Sequence, residues 1–366
     1  MLAGAVLVTI YPTLAPFLEE LLGRAAILST ALTMPEGAAL TLQERFAPEL
    51  YAPDGLFPEE EEGPQPPPPP SSSQAEPSSQ ESDPRPQPSG GVGEIPEIPE
   101  EFRGVLREVC ITGEDNASFY RYRGGWIRNY TRLDAQELQK ILATPYQGTL
   151  TKNAGAPQIL IYHTHATESY ETFDSPYYDT RNTWRSTEQN KNMVAVGDAL
   201  KEALEAQGFT VIHDVTQHDY PSYNGAYERS RETVEGYLKA YPTIQVLLDV
   251  HRDAILYDDG SVAKPTAEID GEKAAQVMIA TACDDGSTGV PNWQQNFRLA
   301  AALEAKGEEM APGLLRPVFF AYRNYNQDLS PQALLLEFGS NGNTLEEAQY
   351  AARLLAPVLG EVLARP

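Results

Sequence analysis

The stretch "TIQVLLDVH", residues 243–251, is the most apolar strand-like run in the chain. A short apolar run of this kind is typical of a strand that is buried on both faces of a parallel sheet. It follows "NGAYERSRETVEGYLKAY", residues 224–241, whose apolar residues recur at helical spacing. Residues 224–251 therefore predict a helix that leads into a buried strand.

The same alternation continues in both directions from this stretch. Upstream, "QILIYH" (158–163) and "FTVIHD" (209–214) are predicted strands, and "NMVAVGDALKEALEAQG" between them is a predicted helix that stops at Gly208. Downstream, strands are predicted over 275–282 and 332–340, and helices over 293–310 and 343–366. Such alternation predicts an α/β domain with a mostly parallel sheet and helices on both faces.

The first hundred residues have a different composition. Residues 58–101 are rich in Pro, Ser and Glu and contain few large apolar side chains, so we predict a disordered, semi-rigid linker. Residues 1–57 are mostly apolar but have no Lys or Arg before Arg24. We interpret 1–57 as a membrane-anchoring region, with a cleaved signal or an amphipathic helix as alternatives.

The α/β domain is predicted over 102–366, with a small entry element at 102–155. Within that element, "SFYRYRGGWIRNYTRL" (118–133) has the aromatic alternation and Gly-Gly turn of a β-hairpin. The following "LDAQELQKILA" (133–143) has helical spacing. We therefore expect a hairpin and a short helix ahead of the alternating region.

Charge and cysteine content exclude some classes of protein. The net charge of −25 and the absence of a basic face argue against a nucleic-acid partner, which is bound through clustered Lys and Arg. Cys110 and Cys283 lie far apart and match no C-x-x-C metal pair. They are compatible with one disulfide or with two free buried thiols.

Polar residues of catalytic types stand at the ends of three predicted strands: His163 and His165, then Asp249 and His251, then Glu337. In open α/β sheets, functional residues gather at the carboxyl ends of the strands. Catalytic zinc takes three protein ligands, commonly His with a carboxylate, and leaves a fourth position open. We predict that His165, Glu168 and His251 bind zinc and that Glu337 acts as general base on a water molecule.

Other residues compete for these roles. Glu188, in a loop before the predicted helix at 192–208, is an alternative metal ligand. His163 is expected to lie beside the ligands or to point into the sheet, because alternate residues of a strand face opposite sides. His213 and His218 are expected to be structural, although His218 has an alternative role in substrate contact. A serine mechanism is disfavoured, since no G-x-S-x-G motif surrounds Ser169 or Ser340.

Four motifs, in this order and spacing, resemble the stage II sporulation protein P family: "ILIYHTHATESY", "HDYPSYNGAYERS", "LLDVHRDA" and "LLLEFGSNGNTLEEA". The resemblance covers roughly residues 105–363. It implies a zinc-dependent peptidoglycan hydrolase, related to the N-acetylmuramoyl-L-alanine amidases, with a second activity against peptide cross-links. The fold expected from it is that of zinc-dependent amidases and exopeptidases.

The resemblance also assigns residues by motif. His165 and His251 take ligand positions, and Glu337 takes the position of the catalytic carboxylate. The related amidases place a Glu before the first long helix, which favours Glu188, whereas the H-x-x-E spacing favours Glu168. We prefer Glu168 because it shares a turn with His165. Arg252, Tyr223 and Asn341 flank the motifs and are predicted to bind substrate.

By the same resemblance, the protein acts during forespore engulfment with stage II sporulation proteins D and M. Its catalytic domain is then expected to be extracytoplasmic, anchored in the space between the forespore and mother-cell membranes. Two other functions stay open at this point. One is a zinc carboxypeptidase acting on wall peptides, and the other is a catalytically silent, membrane-tethered scaffold that binds the wall.

Overall fold

The computed structural model describes residues 97–365. The predicted anchor at 1–57 lies outside the described residues, and so does the predicted linker, except for its last five residues at 97–101. None of the helices described has the length and apolarity needed to cross a membrane. Both cysteines lie in the described part and are free, with Cys110 exposed and Cys283 buried.

The alternating elements predicted from the sequence are present. The helices are α1 (Ala135–Leu142), α2 (Met193–Glu205), α3 (Ala226–Ala240), α4 (Trp293–Met310) and α5 (Leu345–Leu363). The strands are β1 (Arg103–Val109), β2 (Phe119–Tyr122), β3 (Gly125–Asn129), β4 (Ile159–Tyr162), β5 (Tyr177–Asp179), β6 (Val211–His213), β7 (Val246–Asp253), β8 (Val262–Ile269), β9 (Glu272–Ala275), β10 (Val277–Ala282), β11 (Leu315–Ala321) and β12 (Ala333–Ser340).

The main sheet has the order β2-β3-β11-β10-β12-β7-β4-β6 within the described residues. Five of its seven neighbouring pairs are parallel, and the exceptions are the β2–β3 hairpin and the β10–β12 pair. The prediction of a mostly parallel α/β sheet is confirmed. The predicted hairpin also forms, and its strand β3 pairs with β11, so this part of the entry element extends the main sheet.

Helices pack on both faces, but unequally. Alternate residues of the central strands, such as Ile161, Val250 and Leu336, belong to a large apolar core that also contains buried side chains of α1, α2, α4 and α5. The intervening residues Leu160 and Leu247 pack with α3 on the opposite face. Each fully buried Leu or Ile contributes about 1.5–3 kcal/mol through removal of its surface from water. The larger core is therefore the main source of stability.

A second sheet, which the sequence did not predict, has the order β5-β1-β8-β9. Its strand β8 carries Lys264, which is 2% exposed and pairs with Asp174 at 2.6 Å and Glu347 at 2.8 Å. Glu347 belongs to the capping box that begins α5 at Thr344. The buried pair of Lys264 and Glu347 therefore joins the small sheet to the start of α5, the helix that follows β12.

Candidate metal centre

The three strands that carry the predicted site residues are neighbours. β7 lies between β12 and β4 and is parallel to both, so the carboxyl ends of these strands meet at one edge of the sheet. Glu337 pairs directly with His251. His165 follows three residues after the end of β4. The topology thus brings His165, His251 and Glu337 to one place, as the strand-end pattern predicts.

Three buried side chains form a candidate metal-binding group. His165, Glu168 and His251 each offer a ligand atom, and these atoms all lie within 4.8 Å of one another. Glu168 Oε1 is 3.9 Å from His165 Nδ1, and its Oε2 is 3.6 Å from His251 Nδ1. Zinc bonds of about 2.0–2.2 Å at tetrahedral angles separate two ligand atoms by about 3.3–3.6 Å. The donor set and its spacing therefore fit one zinc ion.

The loop after β4 holds Glu168 in place. The backbone N–H of Arg252, next to His251, donates to Glu168 Oε2 at 3.1 Å. Arg185 lies across the loop, with Nη2 3.8 Å from Glu168 Oε1 and Nη1 2.9 Å from Asp219 Oδ2. Asp219 in turn accepts from the hydroxyl of Thr167 at 2.6 Å. Glu168 is therefore oriented before any ion binds, which favours a ligand role.

Asp249 orients His251 from its other side. Asp249 Oδ1 is 2.8 Å from His251 Nε2, and both Asp249 oxygens accept from Thr164. A carboxylate against the far nitrogen of a metal-bound imidazole is a common arrangement that fixes the ring and its tautomer. Asp249 was expected at a strand end, but no role was predicted for it. The signal was present, because residues two apart on a strand share a face.

The electrostatics of this site favour positive charge. Burial disfavours a charged His251 ring, but Asp249, followed by Glu168 and Glu337, outweighs burial and raises the pKa of His251 to about 10. His165 shows the opposite direction, since burial and the neighbouring His251 lower its pKa well below the usual range. A divalent cation among the three ligands would supply the positive charge that these carboxylates favour.

Glu337 lies at the mouth of the site. It is half-buried, and its Oε2 is shielded from solvent and has no hydrogen-bond partner among the described residues. Burial raises its pKa well above the usual range, although His251 acts in the opposite direction. Because an unpartnered buried carboxylate oxygen is costly, Glu337 is suited to a proton, a water molecule or a substrate group that the site would bring to it.

The structure separates the competing residues from this group. The side chain of Glu188 is 61% exposed and pairs with Lys191 at 2.7 Å, so it lies outside the cluster. His163 points to the α2 side of the sheet, where its Nε2 lies 2.8 Å from Nε2 of His213. His218 is buried, with Nδ1 2.7 Å from the His163 carbonyl oxygen and Nε2 2.9 Å from Thr233 Oγ1. These contacts fit structural roles.

The predicted substrate-binding residues lie in three different environments. The Tyr223 ring stacks on His165 with centroids 4.6 Å apart, so it covers one side of the site. Asn341 is buried, and its Oδ1 has no hydrogen-bond partner among the described residues. Arg252 is buried, and its guanidinium donates to the carbonyl oxygens of Ser169, Asp253 and Trp184. The structure therefore uses Arg252 to fix the loop around Glu168.

This chain is similar to proteins of a known family. The family model of stage II sporulation protein P matches residues 75–360, which is more than half of the chain. The stage II sporulation protein P of Bacillus subtilis is 34% identical over 248 residues, covering 64% of this chain and 58% of that protein. The chain therefore matches little more than half the length of this curated relative.

Several solved amidase structures are also similar. The CwlD amidase of Clostridioides difficile, solved with the GerS lipoprotein, is 10% identical with a TM-score of 0.34, covering 56% of this chain and 94% of that chain. The amidase AmiC2 of Nostoc punctiforme is 11% identical with a TM-score of 0.32, covering 57% and 94%. TM-scores this low support no conclusion about the site. The assignment to a family therefore rests on the match to the family model alone. The chain belongs to the stage II sporulation protein P family.

Proposed function

We propose that this protein is a zinc-dependent peptidoglycan hydrolase that cleaves the amide bond between the lactyl group of N-acetylmuramic acid and L-alanine. Cleavage of peptide cross-links is a second activity that the family resemblance implies. The observation that carries the proposal is the group of His165, Glu168 and His251, with ligand atoms within 4.8 Å, beside the half-buried Glu337. Membership of the stage II sporulation protein P family supports the choice of substrate.

The roles of the residues follow from their positions. A zinc ion held by His165, Glu168 and His251 would polarise the scissile carbonyl and acidify a water molecule. Glu337 accepts the proton of the attacking water and then donates it to the leaving nitrogen of alanine. Its burial suits both steps, because a raised carboxyl pKa strengthens the base and lets the protonated form persist near neutral pH.

The remaining residues support this chemistry. Asp249 Oδ1 lies 2.8 Å from Nε2 of His251, and Nδ1 is the ring nitrogen that lies 3.6 Å from Glu168 Oε2. Arg185 and Arg252 hold the loop that carries Glu168. Tyr223 covers His165 and limits the access of solvent to that side. We also propose that the protein acts at the membrane during forespore engulfment, with stage II sporulation proteins D and M as partners.

The experiment is digestion of purified sacculi by the full-length protein, with and without chelator, followed by mass spectrometry of the products. An amidase releases stem peptides with a free N-terminal alanine and leaves an intact lactyl group on the glycan. Chelator abolishes this release, and added zinc restores it. Solubilisation that continues unchanged in chelator would contradict the metal mechanism, and products that all retain the lactyl amide would contradict the amidase assignment.

The same digestion separates the two other candidate functions. A carboxypeptidase releases single amino acids from the free ends of stem peptides and leaves the glycan–peptide amide intact. A silent scaffold binds the sacculi and releases no soluble product, with or without zinc.

A further inference from the structure

The segment between β4 and α2 carries Glu168, and we call it the ligand loop. Its strand β5 is not part of the main sheet but lies at the edge of the small sheet, where β1 is its neighbour. The backbone N–H of Leu106 in β1 donates to the carbonyl oxygen of Pro176 at 3.0 Å. The N–H of Thr180 donates to the carbonyl oxygen of Phe102 at 2.9 Å. The ligand loop is thus held by the strand that begins the domain.

Side chains extend this contact from β1 towards the metal position. Leu106 of β1, Tyr178 of β5 and Val262 of β8 form a small apolar cluster, and Trp184 packs against it. The ring centroids of Tyr178 and Trp184 are 5.1 Å apart. Gly104 of β1 leaves room for the Tyr178 ring, because a Cβ at this position would overlap it. Trp184 therefore depends on the docking of β1 for part of its packing.

The backbone of Trp184 is fixed to the surroundings of Glu168. Its carbonyl oxygen accepts from the N–H of Ser169 at 3.0 Å and from Nη2 of Arg252 at 3.0 Å. Ser169 follows Glu168 in the chain, and Arg185, which follows Trp184, forms a β-bridge with Glu168. Trp184 has a φ of 49°, which a bulky residue adopts only when its surroundings enforce it. The packing of Trp184 therefore helps to set the position of Glu168.

The two halves of β1 have different partners. Residues 103–105 pair with 177–179 of β5, and residues 106–109 pair with 262–265 of β8. The half that pairs with β5 is the one nearer to the predicted linker, and it lies at the surface, with Val105 48% exposed. Exposed pairs at the edge of a sheet open more readily than buried ones. Withdrawal of the start of β1 would therefore release β5 before it separates β1 from β8.

We propose that docking of β1 onto β5 is coupled to zinc affinity at Glu168, so that the strand next to the linker controls the completeness of the metal site. This inference rests on the proposed function, since it takes Glu168 to be a zinc ligand. Coupling between two sites is reciprocal. Docked β1 strengthens zinc binding, and bound zinc strengthens the docking of β1 by the same factor.

Hydrogen exchange of the full-length wild type, with and without zinc, tests the coupling without any substitution. Amides of residues 103–109 and 177–180 are expected to exchange about tenfold more slowly when zinc is bound. The β2–β3 hairpin at 119–129 is the internal control and is expected to exchange at the same rate in both states. The coupling is overturned if zinc leaves β1 unchanged, or if it slows β1 and the hairpin alike.

Gly104→Ala tests the coupling in the other direction. The added Cβ displaces the Tyr178 ring and is expected to weaken zinc binding about tenfold, within the range for loss of a group that supports a metal ligand. Gly113→Ala is the matched control, since its Cβ would overlap the ring of Trp126 in the hairpin. Competition with a zinc-binding dye measures both variants. An affinity that Gly104→Ala retains, or that Gly113→Ala loses to the same extent, would overturn the coupling.

Two substitutions of Trp184 separate its packing from a general loss of structure. Trp184→Phe keeps an aromatic ring against Tyr178 and is expected to retain most of the zinc affinity. Trp184→Ala removes the ring and is expected to weaken zinc binding about tenfold, as Gly104→Ala does. Equal zinc affinities of the two Trp184 variants would show that the ring does not position Glu168, which would overturn the coupling.

The outcomes are independent of those of wall digestion, because zinc binding and exchange are measured without substrate. If zinc slows the exchange of β1 but sacculi stay intact, the proposed function fails and the coupling stands. If sacculi are cleaved only in the presence of zinc while the exchange of β1 is insensitive to zinc, the coupling fails and the function stands.

Discussion

Two histidine clusters lie on opposite faces of the main sheet, and they begin only two residues apart in the chain. The metal-side cluster consists of His165, Glu168, Asp249, His251 and Glu337. The helix-side cluster consists of His163, His213 and Asp198, with Nδ1 of His213 2.9 Å from Asp198 Oδ1. Both clusters bring two imidazoles together, but they differ in the number of carboxylates around the rings.

That difference decides which charge each cluster favours. Three acids surround His251 and raise its pKa to about 10 despite burial. In the helix-side cluster, the single carboxylate belongs to Asp198, whose side chain is 66% exposed. There burial dominates and lowers the pKa of His163 to about 3 and that of His213 to about 4. Proximity of two histidines therefore does not identify a metal site, whereas a surplus of buried carboxylates beside them does.

The largest effect is expected from Glu337→Gln. The amide keeps the shape of the side chain but cannot accept the proton of the attacking water, so kcat should fall by about 10²–10⁴-fold. Zinc content and the unfolding midpoint should stay within error of wild type, because Glu337 is not a ligand. Release of N-terminal alanine from sacculi provides the measurement. A variant that keeps more than half of the activity would remove Glu337 from the mechanism.

A smaller effect is expected from Asp249→Asn, which removes the charge that holds His251. Loss of such a supporting carboxylate typically weakens metal affinity by about 10–100-fold. The matched control is Asp198→Asn, which removes the acid beside His213 and should leave zinc affinity unchanged. Competition with a zinc-binding dye measures both. Equal weakening in the two variants would contradict the distinction between the clusters.

The helix-side cluster is expected to make stability depend on pH. The pKa of His213 lies at about 4 in the folded protein, below the ordinary value of 6.5, so the unfolded chain binds more protons between these values. The contribution of His213 to the free energy of unfolding is complete above pH 6.5. It is lost as pH falls towards 4, by up to about 1.4 kcal/mol per pH unit.

Denaturant unfolding of chelated wild type and His213→Gln between pH 4 and 7 measures this contribution. The free energy of unfolding should fall less steeply with decreasing pH in the variant than in wild type. Identical slopes would show that His213 is not held neutral by its burial.

Much of the fold could be predicted from the sequence, because the central strands and their helices have regular apolar patterns. The helix at Met193–Glu205 and the strand at Val246–Asp253 both formed where those patterns indicate. The small sheet was missed for a physical reason. Its strand β8, "VAKPTAEI", contains two charged residues and a proline, and Lys264 is buried only because acids distant in sequence neutralise it.

Part of the candidate site could also be predicted from the sequence. Strand ends mark His165, His251 and Glu337, but nothing in a one-dimensional pattern shows that Glu168 reaches the cluster while Glu188 pairs with Lys191 in solvent. The order of the strands also decides what lies beside Glu337. Strand β11 was not predicted, so the buried pair of Arg316 with Asp253 could not be anticipated from the sequence.

Metal content of the purified protein tests the central claim most directly. Elemental analysis after equilibration with zinc is predicted to give about one zinc per chain for wild type and for His213→Ala, and none for His251→Ala, because only the metal-side cluster combines imidazoles with buried carboxylates. Zinc retained by His251→Ala and lost from His213→Ala would contradict the account, since the metal would then lie on the other face of the sheet.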